Sequence, residues 1–127
     1  MTKDNADRYK FRTPPLRQIA TTGPWGHDGA YDDLETMVRH HLNPPKFLEN
    51  YDTNQAALPS RKDLDAIDFL NHNNSKARQS LLDANELSVI SLSDEEIDDL
   101  MAFLYGLTDF ECVNLRHDIP LSVPSGL

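Results

Sequence analysis

Two stretches of the chain carry apolar residues at helical spacing, and polar or Pro/Gly-rich segments separate them. Ile97, Leu100, Met101, Leu104 and Leu107 form the longer stripe. It follows Ser93-Asp94-Glu95-Glu96, where the serine hydroxyl and the Glu96 carboxylate suit a capping box. This predicts a helix from about residue 94 to between Gly106 and Asp109. Leu34, Met37, Val38 and His41 fall at i, i+3, i+4 and i+7, one face of a second helix. Asp33 is its expected N-cap and Asn43-Pro44-Pro45 its stop. The repeat turns His41 inward and leaves His40 on the flank. A shorter stripe, Leu64, Ile67 and Leu70, predicts a helix from Ser60 to about Asn71, and residues 75–84 suggest another.

Between these, residues 1–12 read as a charged, extended lead-in and residues 13–30 as a rigid loop. Prolines at 14, 15 and 24 restrict that loop, and glycines at 23, 26 and 29 permit turns closed to other residues. Residues 44–60 read as a further loop tacked down by Phe47, Leu48 and Tyr51, and residues 110–127 as an irregular tail. Strand signals are nearly absent. The expected fold class is all-α and loop-rich.

Composition changes this picture in one respect. Hydrophobic residues make up 39% of the 127, and the mean hydropathy is -0.57. Even with the five glycines, the apolar share falls below the roughly 45–50% usual for globular domains. The expectation is a core completed by a large apolar cofactor or by further chain, with marginal or molten behaviour in their absence; the alternative is dilution by long surface loops. The net charge of -9 disfavours nucleic-acid phosphates and anionic membranes as partners; it suits a cationic protein, and acidic solubility alone explains it equally well. No apolar run is long enough to span a membrane, and the first ten residues lack a signal-peptide apolar region. The single cysteine, Cys112, excludes an internal disulfide and an all-cysteine metal cage.

Few residues are candidates for chemistry. His41, on the apolar stripe, is either an iron ligand or a core histidine bonded to a carbonyl. His27 lies between Gly26 and Gly29 with Asp28 beside it to orient the ring; the alternative is an Asp-Gly turn holding an incidental histidine. Thr22 and Pro24 could offer backbone carbonyls to calcium, although turns of this kind are common. Trp25 reads as packing. The acidic run from Asp94 to Asp99 reads as capping and a solvated face. Cys112 and His117 lack the Cys-x-x-Cys-His spacing of covalent haem attachment, and no catalytic set is complete.

Several pieces of the chain nevertheless resemble the C-terminal haem domain of the bacterial di-haem cytochrome c peroxidases, a family that includes the di-haem enzymes maturing methylamine dehydrogenase. They are Phe11-Arg12-Thr13-Pro14-Pro15-Leu16-Arg17, Thr22-Gly23-Pro24-Trp25-Gly26-His27-Asp28-Gly29, Leu34-Glu35, and Leu92-Ser93-Asp94-Glu95-Glu96 through Phe103-Leu104-Tyr105-Gly106-Leu107-Thr108-Asp109. The Pro124-Ser125-Gly126-Leu127 tail is also similar to some members. The resemblance covers roughly residues 9–43 and 90–109.

The resemblance implies an incomplete cytochrome c-like domain, its distal half, spanning residues 1–127. Seven residues after the helix-starting leucine the family places the distal axial ligand of its C-terminal haem, which here is His41. Thr22 and Pro24 match the carbonyl donors to the family's interdomain calcium, and His27 matches a histidine near the haem or the domain interface. Histidine in place of the peroxidases' methionine implies a lower haem potential. Both Cys-x-x-Cys-His motifs and the proximal histidine are expected on polypeptide outside this chain, from an N-terminal haem-bearing part or a separate subunit. The implied whole is a periplasmic oxidoreductase using haem c. It would reduce hydrogen peroxide with electrons from a small cytochrome or copper protein, this portion being inactive by itself. The alternative is a haemless docking module without enzymatic activity.

Overall fold

A computed structural model describes residues 4–120 of the chain. It is helical and loop-rich, and among the described residues a single antiparallel bridge, Trp25 to Tyr31, takes the place of any strand. Among the described residues, six α-helices run α1 (Leu34–Leu42), α2 (Pro44–Glu49), α3 (Leu70–Asn73), α4 (Ser75–Asp83), α5 (Asp94–Gly106) and α6 (Phe110–Val113). None is long and apolar enough to cross a membrane.

The two helices with the clearest sequence signals form as expected. Asp33 caps α1 by accepting from the Thr36 backbone N–H at 2.7 Å. Ser93 and Glu96 make the reciprocal capping box of α5, at 3.2 and 2.8 Å. Their apolar faces meet. Leu34 packs with Ile97, Met101 and Leu104, and Ile19, Ala20, Trp25, Val38, Leu42 and Leu92 close around them. Arg39 fastens the same pair from outside, bonding Glu35 one turn earlier at 2.6 Å and reaching Asp94 at 3.3 Å.

Elsewhere the expectations need correction. The Pro44-Pro45 pair ends α1 but also begins α2. Proline is well suited to a helix's first turn, and Asn43 accepts from the Lys46 N–H to cap it. The helix expected over residues 60–71 is instead a run of turns, with regular helix confined to α3. Its stripe is not covered: Ile67 and Leu70 are both exposed, so packing does not supply what short helices lack in propensity. The lead-in holds a 3-10 turn at Asn5–Asp7. The expected irregular tail opens with α6 and a 3-10 turn at Leu115–Asp118, while residues 121–127, including the family-like end, lie outside the described residues.

Burial is sparse, as the composition suggests. Besides the four-residue cluster, Tyr31 is the other buried hydrophobic residue among those described. Phe11, Phe103, Phe110, Leu115 and Ile119 are each more than half exposed.

Candidate functional site

The rigid loop is held from several directions. Trp25 and Tyr31 exchange backbone hydrogen bonds of 2.7 and 2.9 Å, pinching residues 26–30 into a closed turn. The Trp25 indole N–H donates to the Ile19 carbonyl at 2.8 Å, so this ring packs and anchors. Gly26 and Gly29 have φ of 82° and 71°, the left-handed region glycine occupies without strain. Gly29 also accepts from the Ala57 N–H at 3.2 Å, joining the loop to the segment after α2.

His27 sits on the outside of this turn. Its ring lies 4.4 Å, centre to centre, from that of Phe11. Its Nε2 is 3.2 Å from the Asp28 carboxylate, and both side chains are exposed. Thr22 and Pro24 are likewise on the surface, either side of Gly23, whose bond to Pro24 is cis.

The adjacent histidines of α1 are arranged opposite to the expectation from periodicity. His40 is half-buried and His41 is exposed. The cause is tertiary. Leu34, Val38 and Leu42 are the α1 residues packed into the core, and none of the described residues buries the edge of the stripe where His41 falls. The flank carrying His40 is covered twice, by Tyr31 from the loop and by Phe47 from α2, at ring distances of 5.3 and 6.1 Å. Burial, reinforced by the charge of His41, lowers the His40 pKa below its ordinary 6.5.

Tyr31 is the residue that sequence reading missed. It is 4% exposed, and its hydroxyl lies 3.0 Å from His40 Nδ1. Burial, with a smaller contribution from Tyr51, pushes its pKa up to about 12. Tyr51 meets the Tyr31 ring edge-on at 5.6 Å, donates its hydroxyl proton to the Ala30 carbonyl, and approaches His72 of α3 at 5.5 Å. No local spacing signals this group, because its members come from the loop, α1, α3 and the connection after α2.

His41 has a defined tautomer. Its Nδ1 lies 3.0 Å from the Met37 carbonyl, and a carbonyl can only accept, so Nδ1 carries the proton. The lone pair is then on Nε2. A backbone carbonyl on one ring nitrogen with the other left basic is the usual preparation of a metal-binding imidazole. The described residues bring together no group of three or more His, Cys, Asp or Glu able to hold a metal ion. What His41 offers is a single imidazole nitrogen, Nε2. That fits an iron whose other ligands come from a macrocycle and from another stretch of polypeptide.

Comparison with known proteins agrees with the sequence resemblance. No profile of a known protein family matches the chain, and no solved structure does. Among curated proteins it is 29% identical over 107 residues to methylamine utilization protein MauG of Paracoccus denitrificans, covering 84% of this chain and 25% of that protein. It is 28% identical over 119 residues to cytochrome-c peroxidase IdrP1 of Denitromonas iodatirespirans, covering 94% of this chain and 23% of that protein. A 37-residue stretch is 43% identical to MauG of Methylorubrum extorquens, covering 29% of this chain and 10% of that protein. The chain thus spans about a quarter of the length of the Paracoccus MauG and of IdrP1. It is a distant relative of MauG and IdrP1, both members of the di-haem cytochrome c peroxidase family.

Proposed function

We propose that this chain is the distal half of a cytochrome c-like domain in a peroxidase-like oxidoreductase, with His41 as an axial ligand to haem iron. The observation that carries the reading is the His41 ring: exposed, with Nδ1 committed to the Met37 carbonyl and Nε2 basic. A haem bound there supplies one-electron transfer. The chain's own residues do the holding: α1 presents the imidazole, and Met37 sets its tautomer. The helix is fixed in turn by Glu35, Arg39 and Asp94. The exposed apolar side chains around α5 and α6 are then surface awaiting the rest of the domain.

On the same reading the complete protein carries haem c on an N-terminal part or separate subunit and works in the periplasm. It reduces hydrogen peroxide with electrons from a small cytochrome or copper protein. Calcium at the Thr22 and Pro24 carbonyls, with the remaining oxygens from the other domain, belongs to this proposal, as does His27 at the domain interface. The exposed apolar surface also favours a second reading, a haemless docking module.

Haemin titration separates the two. Ligation should give a shifted Soret band that His41→Ala abolishes and that His27→Ala leaves in place. The same band in wild-type and His41→Ala protein would remove His41 as a ligand. No band at all, in the chain or together with its haem-bearing partner, would leave the docking module.

A further inference from the structure

Tyr31 and His40 have no part in the ligand role given to His41, yet they are the most enclosed polar pair described. The phenol is almost fully buried, and its oxygen lies 3.0 Å from an imidazole nitrogen. A buried tyrosine loses an electron readily only if its proton has somewhere to go at the same moment, because a cationic phenol in an apolar site is prohibitively costly. His40 is positioned to take that proton. Its Nδ1 is the side-chain partner that the structure gives the phenol oxygen, and imidazole is the side chain best suited to accept a proton near neutral pH. Around the pair runs an unbroken set of rings. His41 to His40 is 5.8 Å, His40 to Tyr31 is 5.3 Å, Tyr31 to Tyr51 is 5.6 Å and Tyr51 to His72 is 5.5 Å. The path leads from the exposed histidine of α1, through the buried pair, to α3.

We propose that Tyr31 is a redox-active tyrosine and His40 its proton acceptor, forming a relay between a metal centre at His41 and the surface near His72. In the step, one electron leaves Tyr31 for an oxidised metal centre, which is reduced by one electron. The phenolic O–H bond breaks and an N–H bond forms at His40 Nδ1. The products are a neutral tyrosyl radical and an imidazolium, and return of one electron and that proton restores the pair. The identity of the oxidant rests on the proposed function above; the chemistry of the pair does not.

The test is made on the 127-residue chain with an external one-electron photo-oxidant, ruthenium tris-bipyridine with persulfate, so that no haem is needed. High-field electron paramagnetic resonance should show a tyrosyl radical with a strong coupling to an exchangeable proton, lost in deuterated buffer and absent in Tyr31→Phe. In His40→Phe the radical yield should fall several-fold. Wild-type protein giving radicals only at Trp25, Tyr9 or the exposed Tyr105, or a tyrosyl signal without the exchangeable coupling, would overturn the proposal without recourse to a variant that might misfold. Haemin titration of His41→Ala is read separately, so failure of the ligand assignment and failure of the relay are distinguishable.

Discussion

The Tyr31 hydroxyl and His40 Nδ1 lie 3.0 Å apart across a nine-residue separation in sequence, and this contact fixes which of two neighbouring histidines the protein turns inside. With His40 held against Tyr31 and Phe47, the helical geometry carries His41 to the surface.

Tyr31→Phe keeps the ring and removes the hydroxyl, leaving His40 Nδ1 without this partner. A loss of about 1 kcal/mol is expected, read as a lower urea midpoint with an unchanged m-value. No change would mean that water replaces the bond at no cost.

Acid should weaken the fold through His40. Its pKa is lowered in the folded chain, so the folded state binds the proton less readily than the unfolded state. The stability contribution is complete above the unfolded value near 6.5 and is lost as pH falls through the folded-state value. Denaturation midpoints measured downward from pH 7.5 should fall over that window, and less so in His40→Phe. Nuclear magnetic resonance titration should place His40 below 6.5; a raised His40 pKa would contradict the arrangement.

The core is small enough for one truncation to matter greatly. Ile97 is 2% exposed and contacts both main helices, so Ile97→Ala should cost roughly 2–5 kcal/mol. Loss of the cooperative transition in circular dichroism is the expected outcome. Phe103→Ser, at a ring 57% exposed on the same helix, should shift stability by less than about 0.5 kcal/mol.

Gly29 and Gly106 should respond in opposite directions to alanine. At Gly29, φ is +71° and a Cβ would sit 2.8 Å from Pro24 Cγ, so Gly29→Ala should destabilise by roughly 1–3 kcal/mol. At Gly106, the last residue of α5, a Cβ meets nothing within 4 Å. Gly106→Ala should stabilise by up to about 1 kcal/mol. Thermal melts of the pair provide the check.

The Gln18 side chain exchanges two hydrogen bonds of 3.1 Å with the Asp109 backbone, tying the end of α5 to the loop. Gln18→Ala should speed amide exchange in residues 107–113 and leave α1 unaffected. Equal protection in both proteins would show that the tie contributes nothing to local stability.

Helices α1 and α5, their caps and the lack of strands among the described residues were legible in the chain because each depends on neighbours within a turn or two: Asp33 on Thr36, Ser93 on Glu96, an apolar residue on the next at i+3 or i+4. The family likeness was legible for a related reason, since its pieces are short and contiguous. Only the tertiary structure decided what stood opposite each face. Periodicity gives a side chain its direction, not its cover, and for that reason it turned His41 inward and passed over Tyr31. The stripe at Leu64, Ile67 and Leu70 failed in the same way, having the repeat but no surface to bury it against. Pairings such as Tyr31 with His40 or Gln18 with Asp109 join residues beyond one another's local reach, and no local propensity encodes them; they follow from how the loop closes around the small core that α1 and α5 build.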